Sequence, residues 1–184
     1  MKRTICLSIL CSICLLSCVR SKNDLAHTFL SALNNYNRDS LQLITSESFQ
    51  WKEVYENYGF MKKEFLDSFV LFSKAINGKF IATKILLSGD STVFIVEDIT
   101  YYSTYLKLKP LFWKISIISK NDKIDRIESD TTIGYKEYLD DFMIKHEKFV
   151  KWLTNKYPQE TESALFHNME ALFEKRLKEY SISK

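Results

Sequence analysis

The spacing of apolar residues divides the chain into a helical first part and a strand-rich middle. Leu25, Phe29 and Leu33 recur every four positions, which predicts an amphipathic helix. The same period returns further along and ends at Asn77-Gly78, where glycine suits a helix C-terminus. The elements predicted here are helices over residues 24–37 and 61–76, a short helix between them capped by Asp39 or Ser40, and a brief strand over residues 45–51.

From residue 79 onward the chain becomes rich in Ile, Val, Thr, Tyr and Phe, a composition typical of strands. Trp113, Ile115 and Ile117 alternate with Lys114 and Ser116, so this strand has one apolar face. Short polar turns separate consecutive segments, which favours antiparallel pairing. The predicted strands cover residues 79–87, 91–106, 111–119 and 123–132.

Two further helices are predicted after the last strand, over residues 134–155 and 159–180. Tyr157-Pro158 separates them, because the residue before a proline disfavours helical backbone. Three helices, a run of antiparallel strands and a final helix pair predict an α+β domain with helices covering one face of a sheet.

The first residues have the features of a secretory signal peptide. Lys2 and Arg3 precede an uncharged, mostly apolar stretch, Thr4–Leu16. A membrane-spanning helix needs roughly 20 apolar residues. This stretch is shorter, so it fits the apolar region of a signal peptide over residues 1–17.

The segment Leu15–Cys18 resembles the lipobox of bacterial lipoproteins, with an aliphatic residue three positions before the cysteine and a small residue directly before it. The resemblance implies cleavage between Ser17 and Cys18 and attachment of lipid to the Cys18 sulfur. Residues 18–23 would then be a short tether. Val19, in place of Asp, implies the outer membrane of the cell envelope. The alternative is an ordinary signal peptide that happens to end in cysteine.

All four cysteines lie at or before position 18. The mature domain would therefore keep Cys18 alone, so we expect no structural disulfide, cysteine metal site or cysteine nucleophile in it.

The charge pattern argues against nucleic-acid binding. The formal net charge is +3, and acidic and basic residues are interspersed without long runs of one sign. The sequence also lacks a glycine-rich phosphate loop, a nucleophile elbow and a His-x-x-x-His spacing. We expect no cofactor and no metal.

Two segments resemble the nuclear-transport-factor-two-like superfamily. The first is the opening helix with Phe29–Tyr36, followed by Asp39. The second is the final hairpin, in which Phe112–Ile118 and Ile124–Ile127 are joined by a short polar turn. The resemblance implies a cone of curved sheet closed by three N-terminal helices.

The predicted organisation combines this resemblance with the helical pattern that follows it. The expected fold is α+β, with three N-terminal helices packed on a curved antiparallel sheet of about four or five strands and a two-helix C-terminal extension. The predicted segments are a signal peptide (1–17), a lipidated tether (18–23), a cone-like domain (24–132) and a helical extension (133–184).

Glu97 and Asp98 interrupt an apolar run in a predicted central strand. Because side chains alternate between the faces of a strand, one of the two would point into the cone. A carboxylate there could have a raised pKa and act as an acid or base. Alternatively, the strand leaves the core at this point and both carboxylates are solvated or ion-paired.

Aromatic residues nearby suggest a ligand pocket. Tyr101, Tyr102 and Trp113 combine apolar surface with a polar tip, which suits a small amphipathic ligand. Packing between sheet and helices is the alternative. His146 falls within an apolar stripe and is expected to be a hydrogen-bonded residue between helices.

Superfamilies of this kind host enzymes, binders and scaffolding modules, so the resemblance does not decide the function. We favour a non-catalytic, membrane-anchored envelope lipoprotein that binds a small apolar or amphipathic ligand or a protein partner. The first alternative is a helical interaction or scaffolding module of the cell envelope. The second is an isomerase or lyase that uses Glu97 or Asp98 with a neighbouring tyrosine.

Overall fold

A computed structural model describes residues 22–88, 91–162, 164–165 and 170–183. The predicted signal peptide, its cleavage site and Cys18 lie outside these residues. Within the described chain, no helix combines the length and apolar character needed to cross a membrane.

Two helices open the described chain, α1 (Lys22–Asn34) and α2 (Arg38–Ile44). The Asn37 side chain caps α2 by accepting a hydrogen bond from the Ser40 backbone N–H at 3.0 Å. The helix therefore begins slightly earlier than a cap at Asp39 or Ser40 would allow.

The predicted helix over residues 61–76 is present, with an irregularity in its middle. It consists of α3 (Lys62–Glu64), a π-helical turn (Phe65–Phe69) and α4 (Val70–Ala75). The wider turn keeps Phe65 and Val70 fully buried.

The sheet has six strands among the described residues. They are β1 (Thr45–Glu53), β2 (Tyr58–Met61), β3 (Lys79–Ser88), β4 (Ser91–Ile99), β5 (Leu111–Lys120) and β6 (Lys123–Thr131). Their spatial order is β2-β1-β6-β5-β4-β3.

The expectation of four or five antiparallel strands is wrong in two respects. The edge strand β2 lies in a segment for which no strand was predicted, and β1 pairs in parallel with β6.

The segment predicted as one strand over residues 91–106 is a strand followed by a helix. After β4, the short helix α5 (Tyr101–Tyr105) begins at a capping box. The Thr100 hydroxyl accepts from the Ser103 N–H at 3.1 Å, and the Ser103 hydroxyl accepts from the Thr100 N–H at 2.8 Å. These reciprocal bonds satisfy the first helical donors and outweigh the strand preference of Tyr and Thr.

The main core lies between the inner face of the sheet and helices α1 to α4. Its centre is aromatic: the Phe65 ring is 4.9 Å from the Phe49 ring and 5.7 Å from the Trp51 ring, measured between centroids. Phe29 packs on the same rings and is fully buried. This cluster fixes the position of the π-helical turn against β1.

A second core joins α5 to the C-terminal helices α6 (Tyr135–Lys156) and α7 (Glu170–Ile182). Arg176 of α7 is buried and donates two hydrogen bonds to Glu160, at 2.6 and 2.7 Å. Its guanidinium also lies 3.6 Å from the ring centroid of Tyr157. The fully or nearly buried members of this core are Tyr102, Leu106, Phe149, Leu153, Leu165, Phe173, Leu177 and Tyr180.

Candidate functional site

A cavity of about 140 Å³ lies against the inner face of the sheet, near the C-terminal end of β4. Because side chains alternate between the two faces of a strand, every second residue of a strand points to this face. The strands supply seven of the lining side chains: two from β1, two from β5 and one from each of β3, β4 and β6. The π-helical turn supplies one more. The lining residues are Trp51, Glu53, Phe69, Phe80, Asp98, Trp113, Ile115 and Ser129.

Asp98 is the carboxyl group at the centre of this cavity. Its Oδ2 accepts a hydrogen bond of 3.2 Å from the Trp113 indole N–H. Burial raises the pKa of Asp98 to about 6, and the hydrogen bond from Trp113 offsets only part of this effect. Asp98 can therefore exchange a proton near neutral pH or provide a negative charge for a ligand.

A second carboxyl group, Glu53, lines the same cavity. Burial raises the pKa of Glu53, and the negative charge of Glu56 raises it further. Next to it, the Trp51 indole N–H donates to the Ser129 hydroxyl at 3.0 Å. That bond holds the indole in place, so the cavity has a firmly oriented aromatic wall.

The first turn of α6 lies beside the cavity. Tyr135 packs on Trp113, with ring centroids 5.5 Å apart, and on Tyr55 at 5.1 Å. Burial, followed by the negative charge of Asp98, raises the pKa of Tyr138. Through the contact of Tyr135 with Trp113, the C-terminal extension packs against a wall of the cavity.

The two adjacent carboxylates predicted from the sequence lie on opposite faces of β4. Asp98 pairs in register with Phe80 and shares its inner face, whereas Glu97 pairs with Ile81 and Phe112 on the outer face. Trp113 joins Asp98 at the cavity. The structure thus brings together Asp98 and Trp113, and it places Glu97 away from them.

The two predicted pocket tyrosines, Tyr101 and Tyr102, belong to the second core. The Tyr102 hydroxyl donates to Glu162, and His146 Nε2 lies 2.8 Å from the same carboxyl group. Burial and the adjacent Glu162 raise the pKa of Tyr102. His146 is thus hydrogen-bonded between elements of the second core, as the sequence suggested.

Several cavity residues were missed by sequence analysis. Trp51 and Glu53 stand two positions apart, so strand alternation could have placed them on one face had β1 been extended to residue 53. Phe69 lies in the predicted helix over residues 61–76 and Phe80 in the predicted strand over residues 79–87, and no local pattern assigns either of them to a cavity.

A larger open groove, of about 600 Å³, lies at the opposite end of the sheet. Some of its polar groups bond to one another: the Ser46 and Ser48 hydroxyls donate to Asp125 at 2.8 and 2.9 Å, and Lys123 donates to the Leu43 carbonyl. The two hydroxyl bonds lower the pKa of Asp125. The groove thus differs from the cavity at Asp98, because the carboxyl groups that line the groove have lowered rather than raised pKa values.

The cavity chemistry is that of an apolar pocket with two carboxyl groups. Among the described residues, no group of three or more His, Cys, Asp or Glu side chains is arranged to hold a metal ion. The pair Asp98 and Glu53 can attract a positive charge or a hydrogen-bond donor, and Asp98 can transfer a proton. The surrounding rings add apolar contact.

No protein-family model matches the chain, and no curated protein matches it in sequence. Solved structures do match. An LEH-like epoxide hydrolase from M. tuberculosis has a TM-score of 0.53 and 11% identity, over 69% of this chain and 92% of that one. A protein assigned as a SnoaL-like polyketide cyclase, from Shewanella putrefaciens CN-32, has a TM-score of 0.53 and 10% identity, over 67% of this chain and 85% of that one.

A third match, assigned as a ketosteroid isomerase, comes from Kribbella flavida DSM 17836. It has a TM-score of 0.50 and 12% identity, and the match covers 62% of this chain and 79% of that one. At such identities the similarity shows the fold alone. The chain has the nuclear-transport-factor-two-like fold, which confirms the fold expected from the sequence, and this fold is compatible with ligand binding.

Proposed function

We propose that this protein is a lipid-anchored envelope protein whose cone-shaped domain binds a small ligand in the cavity at Asp98. The observation that carries the proposal is a partly buried carboxyl group facing an aromatic cavity. Removing a carboxylate from water costs free energy of folding. Such groups are common at functional sites, where they bind a ligand or take part in a reaction.

The size of the cavity limits the ligand. An apolar cavity of about 150 Å³ in another protein holds benzene, a molecule of six heavy atoms. The cavity here is similar in volume, at about 140 Å³. Its ligand is therefore a small molecule, or one small group of a larger molecule.

The position of α1 agrees with an anchor at its beginning. The described part of this helix runs for 13 residues from Lys22, or roughly 20 Å. At its end, Asn34 exchanges two hydrogen bonds with the backbone of Phe80, at 2.8 and 2.9 Å. Phe80 lines the cavity, so the ligand site would lie at the opposite end of α1 from the lipid.

Acid–base catalysis is the second candidate, because Asp98 has a pKa of about 6 and lines the cavity together with a second carboxyl group, Glu53. The two candidates make different predictions for a bound compound. A binding protein releases its ligand unchanged, whereas an isomerase or lyase releases a rearranged product.

Ligand binding can be tested by ligand-observed NMR with the full chain and a set of compounds of five to eight heavy atoms. Phe80→Trp adds bulk to the cavity and is expected to weaken binding at least tenfold. Ile81→Trp is the matched control, because Ile81 is the next residue, lies on the outer face and is 46% exposed. Binding that survives Phe80→Trp, or no binding by any compound, would contradict the proposal.

The anchor can be tested separately. In the full chain, Cys18→Ser is expected to abolish incorporation of a fatty-acid label and to release the protein from the membrane fraction. Two or more acyl chains anchor a protein stably at the membrane, so the change in fractionation should be large. Cys14→Ser is the control and should keep both label and membrane association. Equal labelling of the two variants would refute the lipid site.

A further inference from the structure

We propose that the ligand of the Asp98 cavity is a small organic cation, such as a protonated primary amine. This inference rests on the proposed function and names the class of ligand. It follows from the charges, the rings and the hydrogen bonds of the cavity.

Both ionisable side chains that line the cavity are acidic. Asp98 and Glu53 both line it, on β4 and β1 respectively, and the lining residues given above include no Lys, Arg or His. An anionic ligand would meet two carboxyl groups without a compensating cation. A cation would instead neutralise groups that burial has made costly to ionise.

The walls also favour a cation over a neutral molecule. Trp51, Phe69, Phe80 and Trp113 are all aromatic, and the face of an aromatic ring attracts ammonium groups within about 6 Å of its centroid. These rings pack on one another: the Trp51 ring centroid lies 4.8 Å from that of Phe69 and 6.2 Å from that of Phe80. They therefore form one continuous aromatic wall, against which a small cation in the cavity would lie.

The indole N–H groups are already engaged within the protein. Trp113 donates to Asp98 and Trp51 donates to Ser129. Trp113 uses one oxygen of Asp98, and a carboxylate has several acceptor positions. Asp98 can therefore bind an ammonium group and keep its bond to Trp113.

The ionisation of Asp98 makes the affinity for a cation depend on pH. Glu53 from β1 lines the same cavity as Asp98. The negative charge of Glu56 acts on Glu53, and that of Asp98 acts on Tyr138 of α6. The pKa of Tyr138 is raised, so this phenol stays neutral. The affinity for a cation should therefore fall as the pH drops through the pKa of Asp98, about 6, because the carboxylate becomes protonated.

The test compares isobutylamine, isobutanol and isobutyrate, which have similar shapes and different charges. The full chain in a neutral maltoside detergent is titrated with each at pH 7.5, where the amine is protonated. Fluorescence of Trp51 and Trp113 reports occupancy, in a Trp152→Phe background that removes the remaining tryptophan. We expect the amine to bind at least tenfold more tightly than the alcohol, and isobutyrate to bind most weakly.

Three variants test whether the preference for the amine over the alcohol arises in the cavity. Asp98→Asn should reduce the amine-to-alcohol affinity ratio at least tenfold and abolish its pH dependence near 6. Glu97→Gln, on the outer face, should leave the ratio unchanged. Glu53→Gln provides a second cavity variant and should also reduce the ratio.

The outcomes separate the two proposals. Equal or tighter binding of isobutanol would overturn the cation preference and leave a ligand-binding cavity in place. A preference that survives both Asp98→Asn and Glu53→Gln would overturn the assignment to these carboxylates. If none of the three probes changes the fluorescence, and the compounds of the NMR test do not bind either, both proposals fail.

Discussion

Asp98→Asn is expected to stabilise the protein at pH 7.5, by about 2–3 kcal/mol in the free energy of unfolding. The carboxyl pKa rises from its ordinary value of 3.8 to about 6 in the folded protein, and each pKa unit corresponds to about 1.4 kcal/mol. The ionised Asp98 is therefore disfavoured by folding at neutral pH. Asparagine removes the charge and keeps an oxygen that can accept the Trp113 N–H.

The sign of the pH dependence follows from proton binding. Between about pH 4 and pH 6 the folded protein holds a proton on Asp98 that the unfolded chain has lost, so stability falls as the pH rises through this interval. The advantage of Asp98→Asn should be absent below about pH 3.5, where both states are protonated, and complete above about pH 7. Urea unfolding across this range measures it.

Glu97→Gln is the matched control for this prediction. It removes a carboxyl group from the adjacent position of the same strand, on the outer face of the sheet. We expect no comparable gain in stability from it. A loss of stability in Asp98→Asn at pH 7.5 would contradict the prediction and indicate that the carboxylate itself holds the fold together.

Phe65→Ala is expected to lower the free energy of unfolding by about 3–5 kcal/mol. Phe65 is fully buried and contacts the rings of Phe29, Phe49, Trp51 and Phe69. Removing it leaves a cavity in the centre of the main core and loosens the π-helical turn that carries Phe69. Urea unfolding at pH 7.5 should show a lower midpoint, since most domains have only about 5–15 kcal/mol of stability.

Phe72→Ala provides the comparison within the same helical segment. Phe72 lies in α4 and is 48% exposed, so its truncation removes less buried surface. We expect a loss of about 1 kcal/mol or less. Similar losses in the two variants would mean that the aromatic cluster around Phe65 is not the centre of stability.

A stabilising Asp98→Asn would also bear on function. Residues that cost stability are retained where binding or catalysis requires them. If the same variant loses cation binding while it gains stability, the two measurements together identify Asp98 as a ligand-binding residue. A gain in stability without any change in ligand binding would leave the carboxylate unexplained.

Much of the fold was readable from the sequence because its signals are local. The helical period of Leu25, Phe29 and Leu33 predicted α1, and those three residues lie in the main core. Alternation along β5 placed Trp113 and Ile115 on one face, and alternation along β4 required Glu97 and Asp98 to lie on opposite faces. Such patterns depend only on the geometry of a single element.

Other features depended on contacts between distant segments. The parallel pairing of β1 with β6 joins strands far apart in sequence, and no local pattern specifies which strands become neighbours. The helix α5 carries residues with strand preference, and its capping box and the burial of Tyr102 in the second core decide its conformation. Tertiary packing overrides propensity at such positions.

The sequence by itself thus determined the α+β class and the order of most elements, and it offered Glu97, Asp98 and Trp113 as candidates for a site. Which of the two adjacent carboxylates faces inward, and that Glu53 lines the same cavity, was decided only by the tertiary structure. The physical reason is that a periodic pattern fixes which residues share a face. The shape and charge of a cavity are set by which faces meet.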